Sequence, residues 1–161
     1  MFRLAAVRHH ACVRLQRRLA SPADAEFGRN VHHQAYRDVV ERQFGAWNVA
    51  AQDAYFRDGW GATSHEIVEC DGVLVGYVCV EDRSDLVHVR ELVLLPEFQN
   101  RGIGTAVLRE LLAHAEGRGV PVHLGTLHAN RAAALYRRLG FREIGRTETH
   151  ILFEWLPPVH R

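Results

Sequence analysis

Backbone donors and a positive charge gather in one short stretch, Gln99-Asn100-Arg101-Gly102-Ile103-Gly104-Thr105. It follows a β-rich run, LVHVRELVLL at 86–95, that Pro96 stops, and it precedes an apolar stripe at helical spacing. A loop that opens a helix presents N–H groups without intrahelical partners at the positive end of the helix dipole. Such an end suits an anion, a pyrophosphate above all. Gly102 and Gly104 let the backbone approach a ligand closely, and Arg101 adds charge. The full GxxxxGK[ST] loop is missing, and of the GxGxxG fingerprint only Gly102-x-Gly104 is present. From these glycines alone, a pyrophosphate cradle and an ordinary tight helix entry are equally good readings.

Other chemistry is thinner. The 11 histidines include no HExxH and no Cys/His cluster, so no metal is expected. The neighbours His9-His10 and His32-His33 would point apart on a strand or splay on a helix. Of the three cysteines, Cys12, Cys70 and Cys79, none forms a CxxC pair; Cys70 and Cys79 lie in strand-like runs and read as small core residues. That usage suits a reducing, cytoplasmic setting. Cys79 has no histidine partner in the sequence, so an acyl-cysteine intermediate is not expected.

The elements that must position the loop follow from periodicity. Residues 12–20 read as a first strand, and Ser21-Pro22-Ala23-Asp24 as a helix start that ends near Gly45. A second helix is expected over 49–60. Strands at 65–70 and 73–81 flank Asp71-Gly72, a hairpin signal. The run 86–95 is the next strand, and 102–117 is a helix with Ile103, Val107, Leu108, Leu111 and Leu112 on one stripe. A strand at 122–127, a helix at 130–139 stopped by Gly140, and strands at 141–146 and 151–156 complete the order β, α, α, β, β, β, α, β, α, β, β. This predicts a single α/β (α+β) domain with a mixed sheet.

Composition narrows the classes. A chain of 161 residues with 47% hydrophobic and 24% charged residues favours one globular domain. Twenty basic against 19 acidic residues provide no field for nucleic acid or an anionic membrane, so neither partner is expected. No apolar stretch reaches the length of a membrane span. Residues 1–11 lack a sustained apolar run and read as a short N-terminal extension, with the domain occupying 12–161.

Gln-Asn-Arg-Gly-Ile-Gly at 99–104 resembles the Q/R-x-x-G-x-G/A signature of the GNAT superfamily of acetyltransferases. A second motif, from Asn130 through Ala133 and Tyr136 to Gly140-Phe141, resembles that family's N-x-x-A-x-x-L-Y-x-x-L-G-F helix. In element order the resemblance spans about 21–155. It implies a mostly antiparallel sheet of about seven strands with four helices, whose splayed central strands hold acetyl-CoA. Leu92, Val93 and Leu94 would offer backbone groups to the pantetheine arm, and Gln99, Asn100, Arg101, Gly102, Ile103, Gly104 and Thr105 would cradle the pyrophosphate. Asn130 and Ala133 would contact the cofactor, and Tyr136 would protonate the departing thiolate.

By the same resemblance His88 occupies the position of the general base, and it would titrate near neutrality. Strand alternation puts His88, Arg90 and Leu92 on one face and Val89, Glu91 and Val93 on the other, so Glu91, the nearest acid and the second candidate base, needs a bulge to turn inward; deprotonation relayed by water is the third route. On the acceptor side, Trp47, Gln52 and Tyr55 are candidate substrate contacts; Asn48 stands where a related subgroup carries an acid. The expected reaction is transfer of an acetyl group from acetyl-CoA to a primary amine, on a small molecule or a peptide, by direct attack. Alternatives are a longer acyl group, a non-catalytic acyl-CoA-binding regulator, or a tRNA-modifying enzyme. Pairing through an edge at 151–155 would give a homodimer.

Overall fold

The computed structural model describes residues 11–159. The extension expected for residues 1–11 lies outside the described residues apart from Ala11. Seven strands form one sheet in the order β1 (Leu15–Leu19), β2 (Glu66–Cys70), β3 (Val73–Asp82), β4 (Val87–Leu94), β5 (Val122–Leu127), β7 (His150–Trp155) and β6 (Arg142–Arg146). All neighbours are antiparallel except β4 and β5. Helices α1 (Ala25–Phe44) and α2 (Val49–Ala62) cover one face over β2 to β4, and α3 (Ile103–Arg118) and α4 (Ala133–Arg138) cover the other.

Local chemistry sets these boundaries. Asp24 accepts from the Ser21 N–H at 2.7 Å and from its hydroxyl at 3.1 Å, and binds Arg18 at 2.8 and 3.0 Å. These contacts seat a 3₁₀ turn at Pro22–Asp24 that feeds α1. Gly45 ends α1 in the left-handed region, at φ 85°. Asn48 Oδ1 caps α2 through Ala51 N–H at 2.9 Å. Asp71 and Gly72, at φ 51° and 80°, make the hairpin turn between β2 and β3. The stripe Ile103, Val107, Leu108, Leu111 and Leu112 of α3 is buried against the sheet.

Two irregularities shape the middle of the sheet. The β3–β4 register steps from Cys79↔Glu91 to Val80↔Val89, which leaves Arg90 as the extra residue of a bulge. The parallel β4–β5 pairing holds only over Val87↔Val122, His88↔His123 and Val89↔Leu124. Beyond the bulge β4 runs with β3 alone, so its edge towards β5 is open and the two strands splay.

Several expectations need correction. The bulge reverses the alternation: Leu92 and Leu94 join Val87 and Val89 on the α3 face, while Glu91 and Val93 turn to the α1–α2 face. Residues 151–155 are not an edge, because β7 lies between β5 and β6. A dimer through that edge is therefore not available; the outer strands are β1 and β6. The helix expected over 130–139 shrinks to Ala133–Arg138, because Asn130 Oδ1 takes the Ala132 N–H at 2.9 Å and turns the chain first. Cys70 is not an unpaired core residue: it is disulfide-bonded to Cys12 across 58 positions, which anchors the chain ahead of β1. A disulfide persists in oxidising surroundings, so the cysteines no longer argue for a reducing compartment. No helix among the described residues is long and apolar enough to cross a membrane.

Candidate functional site

The loop before α3 has the geometry of an anion cradle. Asn100 and Gly102 both sit at positive φ, 59° and 81°, so successive N–H groups turn to one side. The first helical bond of α3 runs from Ala106 N–H to Gly102 C=O at 3.0 Å, which leaves the N–H groups of Ile103, Gly104 and Thr105 without intrahelical acceptors. Gly104 rests near the side chains of Leu94 and Leu92, so the loop abuts the open end of β4. The Arg101 guanidinium lies over the Phe98 ring, 5.4 Å from its centroid. The Gln99 side chain donates to Leu94 C=O at 2.9 Å, a backbone acceptor on the splayed segment. Leu92, Val93 and Leu94 stand on that segment.

Behind the fork, the bulge delivers Glu91 into a polar cluster roofed by α1 and α2. Tyr36 OH donates to Glu91 Oε1 at 3.0 Å, and His65 Nε2 stands 3.6 Å from Oε2. His65 Nδ1 meets Thr63 C=O at 3.0 Å, Trp60 stacks on its ring at 4.4 Å, and Cys79 bears on it. Cys79 therefore has a histidine neighbour after all, although its thiol donates to Ser64 C=O at 3.4 Å. Burial alone would lower His65, which is 5% exposed, but contacts with Cys79, Glu91 and Thr63 outweigh it and lift its pKa to about 9. A cavity of about 210 Å³ opens against Glu91, Arg90, His65, Tyr55, Phe56 and Trp60.

His88 belongs to the closed part of the sheet, paired in register with His123. It lies on the same face as Glu91 and lines a wider hollow of about 500 Å³ with Glu81, Arg83, Arg90 and His123. Burial lowers its pKa despite Glu81, 3.9 Å away. Arg83 and Arg90 grip Glu81 and pull its pKa down to about 2. Arg90 lines both hollows.

Trp47, Gln52 and Tyr55 converge on one buried residue, His32. Gln52 Oε1 contacts its Nε2 at 2.8 Å, and the Trp47 and Tyr55 rings lie 5.8 and 6.0 Å from it. Burial lowers the His32 pKa, so it acts as a neutral hub. Gln52 is committed to that hub, whereas Tyr55 reaches the smaller cavity.

On α4, the Tyr136 ring packs edge-on to Phe141 and to Phe153 of β7, at 6.0 and 5.7 Å. Burial pushes its phenol up to about 12. Ala133 packs beside it on the α3–α4 core, while Asn130 is spent on the turn before α4. Gln43, near the end of α1, bridges the far side: its amide donates to Thr149 C=O at 2.8 Å and accepts from Ala129 N–H at 3.0 Å. Sequence reasoning missed His65, Tyr36, His32 and Arg90. The α1 residues His32 and Tyr36 share a helix face by their spacing, which was a readable signal; nothing in the sequence marked His65.

The profile of the Acetyltransferase (GNAT) family matches residues 32–141, which hold both the loop and Tyr136. An uncharacterised N-acetyltransferase of Methanocaldococcus jannaschii is 25% identical over 83% of this chain and 66% of its own length. The mycothiol acetyltransferase of Actinosynnema mirum is 35% identical over 55% of this chain and 31% of its own. The N-alpha-acetyltransferase RimI of Mycobacterium tuberculosis is 40% identical over 46% and 49%. The chain thus spans from under a third to about two thirds of these relatives. Among solved structures, the PaiA N-acetyltransferase of Thermoplasma acidophilum, in complex with coenzyme A, superposes with a TM-score of 0.72 at 16% identity over 89% of this chain and 99% of that one. An acetyltransferase of Thermus thermophilus gives 0.72 at 18% identity, over 91% and 99%. At that identity the likeness is one of fold.

Proposed function

Because the chain belongs to the acetyltransferase (GNAT) family, we propose that it transfers an acetyl group from acetyl-CoA to a primary amine by direct attack. The observation that carries this reading is the juxtaposition at the fork. A donor-lined loop ends beside the open edge of β4, and the bulge on that strand turns a carboxylate towards a cavity on the opposite face.

The diphosphate of the cofactor would sit on the N–H groups of 101–105, with Arg101 beside it. The pantetheine amides would pair with those backbone groups of Leu92, Val93 and Leu94 that face away from β3, displacing the Gln99 side chain from Leu94 C=O. That places the thioester near the bulge, within reach of an amine entering from the acceptor side. The ammonium group of the acceptor gives a proton to Glu91; its lone pair then attacks the thioester carbon, the C–S bond breaks, and the second proton lost from nitrogen goes to the departing thiolate. Glu91 is favoured over His88 because His88 lies where β4 and β5 are still paired. Thioester aminolysis is an easy reaction, so positioning supplies much of the rate.

Tyr136 takes a modified role. A phenol at about 12 stays protonated at any working pH but is a weaker acid than a free one. It stabilises the departing thiolate by donating a hydrogen bond rather than by completing proton transfer before the bond breaks.

The acceptor is an amine small enough for the inner cavity or presenting one side chain to it. Titration calorimetry with acetyl-CoA, followed by thiol release against a panel of amines and peptides, tests the reading. Binding with turnover supports it, and absence of acetyl-CoA binding refutes it.

A further inference from the structure

The environment of His65 dictates its charge. Thr63 C=O can only accept, so the ring nitrogen Nδ1, 3.0 Å away, carries a hydrogen. Glu91 Oε2 stands 3.6 Å from Nε2, beyond hydrogen-bond length but within ion-pair range, and that contact is attractive when Nε2 carries a hydrogen too. Both nitrogens protonated make an imidazolium. Its faces and edges suit one: Trp60 offers a π face at 4.4 Å, and Tyr77 packs at 5.5 Å. Among the described residues, the other groups around Glu91 supply no competing free cation. Tyr36 on α1 donates to it, His32 on α1 is pushed towards its neutral form, and burial raises the phenols of Tyr55 on α2 and Tyr77 on β3; Cys79 on β3 bears on His65. Arg90 on β4 is turned to Glu81 at 2.7 Å.

We propose that His65 is a positioning residue: as a buried imidazolium it aims Glu91 into the acceptor cavity and keeps it a carboxylate, ready to take the proton of the incoming amine. The inference rests on the acetyl-transfer reading above. A cation beside a carboxylate favours its ionised form, and only that form takes a proton. His65 supplies that counter-charge without consuming the reaction's proton, since both its nitrogens are already occupied.

Two measurements test this. Long-range nitrogen–proton NMR on histidine-labelled protein reads the charge of His65 directly and needs no substrate; both nitrogens should remain protonated at pH 8. A neutral ring at pH 7 overturns the inference. In kinetics, His65→Gln keeps a donor but removes the charge. The acid limb of its kcat/KM profile should move up by about one to two pH units, with KM for acetyl-CoA unchanged. A uniform fall in kcat with an unmoved limb would show a merely structural role and overturn the inference. Glu91→Gln, run in parallel, should abolish that limb. If the wild-type limb survives in Glu91→Gln, the base assignment itself is wrong, a failure distinguishable from that of His65.

Discussion

Replacing Gly102 by glutamate tests the cradle most directly. Gly102 sits at φ 81° with no atom within 4 Å of where a Cβ would stand, so a side chain meets no clash, only backbone strain. A non-glycine residue in that region costs about 1 kcal/mol, which lowers Tm by about 2–4 °C in a chain of this size. Ligand binding should suffer far more. Charge-assisted hydrogen bonds to the diphosphate are worth about 1.5–3 kcal/mol each, and a carboxylate in the loop displaces at least one and repels the phosphates. A loss of about 3 kcal/mol or more weakens Kd for coenzyme A by over about 100-fold. Calorimetry on the variant measures it, with Gly102→Ala separating strain from charge and Gly117→Glu, an exposed site on α3 with open space around it, as the charge control. A Kd for Gly102→Glu within about threefold of wild type, in a protein that still melts cooperatively, would refute the cradle.

Tyr136→Phe should lower kcat by about 10- to 100-fold while coenzyme A affinity stays within a few-fold, and an unchanged kcat would remove its role at the sulfur. Tyr77 carries the one buried side-chain polar atom among the described residues without a hydrogen-bond partner, its hydroxyl. Tyr77→Phe should therefore be neutral or stabilising by up to about 1 kcal/mol in urea melts; a loss above that would mean the hydroxyl is satisfied. Reducing the Cys12–Cys70 bond, which closes 58 positions of chain, should lower stability by up to about 4 kcal/mol, about 10 °C in Tm. Coenzyme A affinity should not change, because the bond ties β1 and β2 rather than the fork; identical melts with and without reductant would count against the bond.

The order of strands and helices was legible because each element carries its own periodicity and punctuation. Asp71-Gly72, Gly45 and Pro96 stop or turn the chain by local chemistry, and the structure keeps all three. The backbone of the loop at 99–105 was legible for the same reason: Gly102 announces the left-handed turn that opens α3. What escaped were features made by pairing across distance. The disulfide joins residues 58 apart with no local pattern, and β7 turned out internal because β6 folds back outside it. The cluster around Glu91 unites α1, the start of β2, β3 and β4, so no window of sequence contains it. Only the His32 and Tyr36 spacing hinted at a polar face on α1.

The bulge at Arg90 explains why an alternation rule failed where it mattered most. A regular β4 would aim Glu91 into the apolar core beneath α3, among Val107, Leu108 and Leu111. No counter-charge lies among those side chains, and an ionised carboxylate there would cost several kcal/mol. One extra residue reverses the facing of everything after it. Leu92 and Leu94 then fill the α3 side, and Glu91 meets Tyr36 and His65 on the other. The bulge sits just beyond Val89↔Leu124, the last β4–β5 pair, so it also lies where the strands part. A single insertion thus coincides with the open edge of β4 and turns the carboxylate towards the smaller cavity. Local hydrophobic pattern alone would favour the regular strand with valine and leucine alternating. The departure from that pattern is the place where stability and chemistry ask for different faces, and the acidic residue takes the face that holds the Tyr36 hydroxyl and the His65 ring.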